Sequence, residues 1–447
     1  MKLQYISSAS VLLEHDDVRI LCDPWLVDGE YFGSWAHYPP LQFNPKDFDN
    51  VDYIYISHIH PDHLSTKSLL KMNKKIPILI HTYASNFLKK NLENLGFEVR
   101  ELEHNKRTKL KNNLAINILA ADNCNPELCF KYFGCGLAEK NFGSTSIDTM
   151  AVIDNGDEVI VNTNDCPFTL AETSATLIKN SYQNIDMLLV GYTSASAYPQ
   201  CFKMSKEEKK IAKSNLQQTY VQYAEKYVNL FKPKYFMPFA GKYTIAGKFS
   251  TLNSQKGAYE LEDAYDYFLS NNNYNEQINK CIILNSGSTF DISTGNSSQD
   301  YKRINFDEKN EYIQNILSKK KYDYEFDDEP NLEYIVSQIS KSYTRFESKR
   351  KELNFLTDTV VIISLNDDQN AVITCNGSGY KILPTRDLHK FKKYVKMSLD
   401  LKLLSWLLKG PRFASWNNAE IGSHIYYERS PDIYERGLFY CMNFFHS

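Results

Sequence analysis

Long apolar runs are missing from this sequence of 447 residues. No stretch reaches the roughly 18 consecutive apolar residues that a membrane-spanning helix needs, and the N-terminus begins with strand-like sequence rather than the apolar core of a signal peptide. An excess of positive charge is also missing, because 51 Lys and Arg face 54 Asp and Glu, for a net charge of −3. We therefore predict a protein without a transmembrane segment and without affinity for nucleic acid or anionic membranes.

Paired cysteines are missing as well. The nine cysteines form no Cys-x-x-Cys pair, and several stand singly in apolar surroundings, among them Cys22, Cys281 and Cys441. This usage predicts a reduced chain in the cytoplasm. The sequence also lacks a Ser-His-Asp or Cys-His arrangement, a glycine-rich phosphate loop and a basic aromatic patch, so neither nucleophilic catalysis nor nucleotide binding of those kinds is indicated.

Histidine is scarce, yet three of the ten histidines lie within six residues, as His58, His60 and His63, together with Asp62. They directly follow an apolar run at 53–56 that predicts a buried strand. Neutral imidazole nitrogens and carboxylate oxygens are the ligands of first-row metal ions in proteins. The loop is therefore a candidate metal site at the end of a strand, and the alternative of solvated loop histidines does not explain their concentration.

Two further aspartates follow predicted strands. Asp165 comes after the strand at 158–162 and is a candidate metal ligand, with the alternative that it caps the next helix. Asp62 and Asp165 are also the candidate catalytic residues, because either carboxylate can orient a water molecule or take up a proton. Asp23 ends the strand at 18–22 and is a candidate to orient a histidine ligand, with a turn before Pro24 as the alternative.

Two residues are candidates for substrate binding. Lys242 follows the predicted strand at 235–239 and is placed to meet an anionic group, although a solvated lysine is the commoner outcome. His37 lies in an aromatic loop at 28–50, which predicts either the wall of a pocket or a loop packed onto the sheet.

The order of predicted elements indicates an α/β fold. Strands and helices alternate through the first half, including a long helix at 206–231. A charged segment follows, and then a strand pair and an amphipathic helix at 387–409 that ends at Gly410-Pro411. We predict three parts: a metal-binding domain, a charged helical connector and a C-terminal α+β module, at 1–290, 291–350 and 351–447.

The loop His58-x-His60-x-Asp62-His63 matches H-x-H-x-D-H and thereby resembles the metallo-β-lactamase superfamily. The resemblance implies a four-layer αβ/βα sandwich with this motif at the end of a strand. It also implies that the first two histidines bind one metal ion, while the aspartate and the next histidine bind a second.

Other segments are similar to a narrower family, the metallo-β-lactamase-fold part of CMP-N-acetylneuraminate hydroxylases and their bacterial relatives. The similarity covers the first 250 residues or so and resumes near the C-terminus. In that group the C-terminal part resembles a sterol-carrier-like α+β module. The matching segments are Leu21-Cys-Asp-Pro-Trp25, Asn162-Thr-Asn-Asp-Cys166, Met237-Pro-Phe-Ala-Gly241, Trp416-Asn-Asn-Ala-Glu-Ile-Gly422 and Pro431-Asp-Ile-Tyr434.

This sequence departs from the family pattern at two ligand positions. The third metal histidine of the family falls at Asn125, with Asp122 nearby as a substitute, and the last falls at Gly247. The implied cofactor is one or two divalent transition-metal ions, zinc, iron or manganese, with Asp122 and Asn125 as further ligands or supporting residues. The Rieske ligand patterns Cys-x-His and Cys-x-x-His of the hydroxylase are also missing.

Three functions follow as hypotheses. The first is a metal-dependent hydrolase of a small metabolite, such as a sugar nucleotide or modified sugar, in which the metal activates water. The second is an iron-dependent oxygenase that receives electrons from a separate partner protein. The third is a non-catalytic protein with a degraded metal site, as the changes at Asn125 and Gly247 indicate.

Overall fold

The computed structural model describes residues 1–83, 86–121, 148–270 and 277–447. The strands are β1 Lys2–Ser7, β2 Ser10–His15, β3 Val18–Cys22, β4 Trp35–Ala36, β5 Tyr53–Tyr55, β6 Ile78–His81, β7 Val99–Leu102, β8 Thr108–Lys109, β9 Ala115–Ala120, β10 Thr149–Asp154, β11 Val159–Asn162, β12 Met187–Gly191, β13 Tyr235–Phe239, β14 Thr244–Ile245, β15 Lys280–Cys281, β16 Thr289–Asp291, β17 Asn296–Ser297, β18 Val360–Ser364, β19 Gln369–Thr374, β20 Tyr380–Pro384, β21 Tyr394–Ser398 and β22 Tyr426–Ser430. The helices are α1 Thr66–Leu69, α2 Phe87–Asn94, α3 Phe168–Ser181, α4 Lys206–Phe231, α5 Leu261–Ser270, α6 Phe306–Asn315, α7 Leu332–Glu352, α8 Leu401–Lys409, α9 Trp416–Ile421 and α10 Arg436–Met442. None of the helices in these ranges is both long and apolar enough to cross a bilayer.

Two large sheets make up most of the N-terminal part of the chain, and β4 pairs with β14 in a further two-stranded sheet. In the described residues the first has the strand order β17-β16-β1-β2-β3-β5-β6-β7, and the second has the order β15-β13-β12-β11-β10-β9-β8. Each sheet begins as an antiparallel meander and continues with parallel strands, β3-β5-β6-β7 in the first and β11-β12-β13-β15 in the second. The central parallel strands β5 and β12 are buried on both faces, as their apolar residues predict.

The two sheets pack face to face with helices outside. One apolar cluster joins residues of both sheets, such as Val11 and Ile20 with Ile118 and Met237. A second cluster lies between the first sheet and α1 and α2, and a third lies between the second sheet and α3, α4 and α5. The chain therefore forms the four-layer αβ/βα sandwich that the sequence predicts.

The parallel strands bring the candidate site residues together. Asp23 directly follows β3, and the loop with the three histidines follows β5. Asp165 lies shortly after β11 in the second sheet. The carboxyl ends of neighbouring parallel strands meet at one edge of a sheet, and the sandwich places the corresponding edges of its two sheets side by side. This edge therefore collects residues from distant parts of the sequence.

The C-terminal module is a sheet of order β20-β19-β18-β21-β22 with α7, α8 and α10 in its core. The predicted helix at 387–409 is wrong in its first half. There the chain forms a 3₁₀ turn at Thr385–Lys390 and the strand β21, and only α8 is helical. Val395 and Met397 alternate with half-buried residues along β21, a period of two that fits a strand. Asp400 then caps α8 by accepting a hydrogen bond from the Lys402 amide.

The module lies directly against the sandwich. His424 Nε2 is 2.8 Å from the carbonyl oxygen of Tyr31, and the Ser34 hydroxyl donates to the Gly422 carbonyl at 2.7 Å. Helix α7 and Tyr324, both from the segment predicted as a connector, contribute to the core of the module. The division of the chain at 290 and 350 stays a prediction.

Candidate metal centre

The loop after β5 turns three imidazole rings toward one point. His58 Nε2 lies 2.9 Å from His60 Nδ1, and the ring centroids of His58 and His63 are 4.1 Å apart. The His58 and His63 side chains are fully buried. The loop is held by backbone hydrogen bonds from the amides of His63 and Leu64 to the His60 carbonyl. The histidines that are close in sequence are therefore also close in space, with ring nitrogens facing one another.

Carboxylates from both sheets complete the cluster. His63 Nε2 lies 3.3 Å from Asp165 Oδ2 and 3.5 Å from Asp62 Oδ2, and His58 Nε2 lies 4.0 Å from Asp165 Oδ2. The structure thus brings together all five residues that the sequence singles out as the main ligands. The role of each as a ligand stays a prediction.

Asp148 is a further candidate that the sequence analysis missed. Its Oδ1 lies 3.8 Å from His58 Nε2. Two groups can each surround an ion, His58 with His60 and Asp148, and His58 with His63 and Asp165. Asp148 could have been recognised in the sequence because it directly precedes the strand at 149–154, and the polar site residues of this fold lie at strand ends.

Asp23 supports the centre from behind. Its Oδ2 lies 2.7 Å from His63 Nδ1 and accepts a hydrogen bond from the Ser57 hydroxyl at 2.6 Å, while Oδ1 accepts from the Ser57 amide at 2.7 Å. Asp23 is fully buried. A carboxylate on one ring nitrogen of a histidine fixes the ring so that the other nitrogen faces the metal. The orienting role of Asp23 itself stays a prediction.

Replacing Asp23 with asparagine is expected to weaken metal binding by about 10- to 100-fold, because such outer partners orient the ligand and raise its basicity. Asparagine tolerates the left-handed backbone that Asp23 adopts (φ 43°), so the fold is retained. Competition with a chromophoric chelator measures the affinity. Asp16→Asn is the matched control, since Asp16 is exposed and also left-handed (φ 49°). Equal affinity in all three proteins would contradict the role of Asp23.

The protonation states suit a cation. Burial, with the nearby histidines, lowers the pKa of His58 well below its usual range, and burial lowers the pKa of His60, so both rings are neutral at pH 7 and offer lone pairs. Burial lowers the pKa of His63, but the negative charges of Asp165, Asp62 and Asp23 act more strongly and raise this pKa well above its usual range. The carboxylates therefore stabilise a positive charge at the centre.

The surroundings of His63 Nε2 show whether a metal ion fits the centre. This buried nitrogen faces the carboxylates of Asp62 and Asp165, but neither contact has hydrogen-bond geometry in the described residues. A buried polar atom without a partner is costly. A cation bound between the nitrogen and the carboxylates would satisfy all of these groups, so the residues present fit a divalent metal ion.

Aromatic residues form one wall of the centre. The Tyr31 hydroxyl donates to Asp62 Oδ1 at 2.5 Å, and Tyr31 lies in a left-handed turn (φ 50°) within Glu30–Gly33. The Tyr31 ring packs on Trp35, which stacks on Tyr243 with ring centroids 3.7 Å apart. All three side chains are buried. The wall limits the access of water to Asp62 and holds its carboxylate in place.

Gly247 shows why the last family histidine has no counterpart here. Its backbone is left-handed (φ 69°), and a Cβ atom at this position would lie 2.4 Å from the Tyr322 ring. The Tyr322 hydroxyl donates to the Ala246 carbonyl at 2.8 Å and accepts from the Phe249 amide at 3.1 Å. A tyrosine from the predicted connector therefore occupies the space that a side chain at 247 would need.

The other predicted site residues are Asp122, Asn125, His37 and Lys242. Asp122 and Asn125 lie outside the described residues. His37 is buried, with Nδ1 2.7 Å from Asp28 Oδ1 and its ring 3.9 Å from that of Trp25. Burial lowers the pKa of Lys242 to about 8, and the Lys242 charge in turn contributes to lowering the pKa of His37, after burial as the main cause. The role of both residues in substrate binding stays a prediction.

The C-terminal module reaches the centre through Asn417. The Asn417 side chain, at the start of α9, lies beside His60 and raises the pKa of its ring, against the larger lowering by burial. Trp416 anchors the same helix by donating from Nε1 to the Phe445 carbonyl at 3.0 Å. Asn417 was not among the residues predicted from the sequence, although it lies in the matching segment that begins at Trp416.

Comparison with known proteins identifies the class. The family model described as "Beta-lactamase superfamily domain" matches residues 2–138, which include β1 to β9 and the histidine loop. Together with the four-layer sandwich, this match shows that the chain has a metallo-β-lactamase fold. The predicted resemblance is thereby confirmed at the level of the fold.

Individual relatives are more specific. The chain is 37% identical over 99 residues to a protein of Mycolicibacterium smegmatis that is named for a Rieske 2Fe-2S centre. These residues are 22% of this chain and 19% of that protein. It is 22% identical to the cytidine monophosphate-N-acetylneuraminic acid hydroxylase of Pan troglodytes over 97% of this chain and 70% of that enzyme. The solved isothiocyanate hydrolase from Delia radicum gut bacteria has a TM-score of 0.45 and 14% identity, covering 65% of this chain and 99% of that one. The chain spans less than half the length of the first curated relatives that it matches.

Proposed function

We propose that the chain is an iron-dependent hydroxylase that acts on a sugar nucleotide at the centre formed by His58, His60, Asp62, His63 and Asp165. The observation that carries the proposal is that each of the two possible ligand groups contains two histidines and one carboxylate. Non-haem iron enzymes that activate oxygen use this donor set. The similarity to the Pan troglodytes hydroxylase over 97% of the chain supports the same function.

The side chains have distinct tasks in this proposal. A bound iron ion supplies the activation of dioxygen. His58 and His60 offer neutral nitrogens, and Asp23 holds His63 so that its Nε2 faces the centre. Tyr31 fixes the Asp62 carboxylate by a hydrogen bond, and its aromatic neighbours keep bulk water away from the reacting groups.

The proposal requires an electron donor. Hydroxylation converts a C–H bond into C–OH with one atom of dioxygen, and the other atom leaves as water after taking up two electrons and two protons. The 447 residues contain neither Rieske ligand pattern. We therefore propose that a separate partner protein supplies the electrons.

The test uses cytidine monophosphate-N-acetylneuraminic acid, the substrate in the name of the similar hydroxylase. Iron-loaded protein is incubated with this compound, oxygen-18 gas and a chemical reductant with a redox mediator, and the product is analysed by mass spectrometry. We expect a product that gains one labelled oxygen atom, and no product from His58→Ala. No labelled product from protein with full iron content would contradict a hydroxylase for this substrate.

A metal-dependent hydrolase is the second candidate, favoured because these 447 residues hold no Rieske ligands of their own. In that case the metal lowers the pKa of a bound water molecule, and Asp62 or Asp165 orients it. A parallel incubation in oxygen-18 water separates the two, since a hydrolase would incorporate oxygen from the labelled water and would need neither dioxygen nor a reductant.

A further inference from the structure

Three lysines lie beside the aromatic wall of the metal centre. Lys256 is 5% exposed, and its Nζ donates a hydrogen bond to the Tyr243 carbonyl and lies 4.6 Å from the centroid of the Tyr243 ring. The same ring stacks on Trp35 in the wall. Lys242 directly precedes Tyr243, and Lys309, which is also buried, comes from α6. We refer to these three residues as the lysine cluster.

The carboxylates at the cluster are outnumbered by its lysines. Glu260 Oε1 accepts a hydrogen bond from Lys309 Nζ at 2.5 Å and lies 3.9 Å from Lys256 Nζ. Burial raises the pKa of Glu260, but the charges of the two lysines together act more strongly and lower it to about 2. Glu262 is buried, and its Oε1 accepts a hydrogen bond from the Tyr301 hydroxyl at 2.6 Å. The three lysines therefore carry one positive charge more than these two carboxylates neutralise.

Lys242 is the lysine that lacks a partner. Its Nζ forms neither a hydrogen bond nor an ion pair in the part of the chain that the structure describes. The side chain is half-buried, and burial lowers its pKa to about 8, against the raising effect of Glu260 and Glu262, so the ammonium group is charged at pH 7. A charge that is withdrawn from water without a partner is costly. An anion bound at Lys242 would supply that partner.

The loop after β12 brings further polar groups to Lys242. A Cβ atom at Gly241 would lie 2.0 Å from Thr193 Cγ2, so the glycine allows this loop to pack against the residue before Lys242. Thr193 Oγ1 and the hydroxyl of the buried Tyr192 have no hydrogen-bond partner among the described residues. Hydroxyl groups can donate to an anionic oxygen. The loop that contacts Gly241 thus holds two hydroxyl groups that are available to a ligand.

Lys242 and the metal centre lie on the same edge of the second sheet. Asp165 is the third residue after β11, and Lys242 is the third residue after β13. Only β12 lies between these two strands. Neighbouring strands are about 4.8 Å apart, so the carboxyl ends of β11 and β13 are about 10 Å apart. A substrate with an anionic group at Lys242 can therefore extend its reacting part to the centre.

The type of cation selects the anion. A lysine ammonium group is a compact point charge that binds phosphate, whereas planar carboxylates are matched by the fork of an arginine. We propose that Lys242, supported by Lys256 and Lys309, binds the phosphate group of the substrate and so directs the sugar to the metal centre. The inference rests on the proposed function, because a sugar nucleotide is a substrate in which a phosphate is attached to a sugar.

The test measures binding rather than turnover. Cytidine monophosphate and cytidine differ only in the phosphate group, and isothermal titration calorimetry compares their affinities for the full chain with its metal. We expect the monophosphate to bind at least about tenfold more tightly, because hydrogen bonds to charged groups are worth more than neutral ones. Equal affinities, or no binding of the monophosphate at millimolar concentration, would overturn the inference.

Variants distinguish the lysine from the metal ion, which can also bind phosphate. Lys242→Gln is expected to weaken binding of the monophosphate at least about tenfold and to leave cytidine unaffected, whereas Lys242→Arg keeps the charge and most of the preference. Lys71→Gln is the matched control, because Lys71 is an exposed lysine outside the cluster. A preference that survives in a folded Lys242→Gln protein would overturn the inference. So would a Lys242→Gln protein that loses affinity for N-acetylneuraminic acid instead, since the bound anion would then be a carboxylate.

A second measurement decides if Lys242→Gln does not fold. The unaltered chain is compared with and without treatment by a chelator, and we expect the preference for the monophosphate to remain after the metal is removed. A preference that disappears with the metal would assign the phosphate to the ion and overturn the inference.

The outcomes separate the inference from the proposed function. A preference that depends on Lys242, without hydroxylation in the labelled-oxygen assay, supports the phosphate site and counts against the hydroxylase. Hydroxylation with equal binding of the monophosphate and cytidine overturns the phosphate site and supports the hydroxylase.

Discussion

His58→Ala is expected to abolish metal binding, so that the content falls from one or two ions per chain to near zero. The reason is that His58 belongs to both possible ligand groups, the one with His60 and Asp148 and the one with His63 and Asp165. Its loss leaves each ion with two of the three protein ligands. The loss of affinity should exceed the roughly 10- to 100-fold effect of an outer partner. Elemental mass spectrometry of protein expressed with both iron and zinc measures the content.

A comparison with His60→Ala sharpens this test. His60 belongs to only one group, so a protein that binds two ions is expected to keep one of them in His60→Ala and neither in His58→Ala. His389→Ala is the matched control, because His389 is an exposed residue that contacts the Arg386 carbonyl in the C-terminal module. A metal content in His58→Ala equal to that of the unaltered chain would contradict the assignment of this centre and both enzymatic hypotheses.

The metal identity decides between the hypotheses. Iron in the purified protein would favour the hydroxylase, and zinc or manganese would favour the hydrolase. The donor set of two histidines and one carboxylate favours iron, and the metal content tests that assignment.

The part of the site that is local in sequence was predictable. His58, His60, Asp62 and His63 are close together because they share one loop, and the strand before them has the apolar composition of a buried parallel strand. Asp23 and Asp165 were predictable for a related reason, since each follows a strand whose carboxyl end lies at the same edge. Alternating and continuous apolar patterns are thus sufficient to place residues at that edge.

The part that depends on packing between distant segments was not predictable. Asn417 reaches His60 only because the module docks on the sandwich through His424 and Tyr31. The space at Gly247 is filled by Tyr322, which no spacing in the sequence connects with that glycine. Residues 394–398 form a strand although Val395, Leu399 and Leu403 also fit a helical period, because pairing with β18 decides the conformation.

Glu420→Gln is expected to flatten the pH dependence of stability between about pH 4.5 and pH 8. In the folded protein the carboxyl keeps its proton up to about pH 8, whereas the value for an unperturbed glutamate is 4.5. The folded state therefore binds more protons than the unfolded state within this window, and its free energy of unfolding falls as the pH rises. The groups around Glu420 are Arg429, which opposes the shift, Arg436 and the Tyr427 hydroxyl.

Relative to Glu420→Gln, the unaltered chain is expected to lose on the order of 5 kcal/mol of stability across this window, since each pKa unit corresponds to about 1.4 kcal/mol. Urea unfolding followed by fluorescence at several pH values measures it. Glu207→Gln, at an exposed position in the first turn of α4, is the control and should follow the unaltered chain. Identical pH profiles for Glu420→Gln and the unaltered chain would mean that Glu420 is ionised in the folded protein.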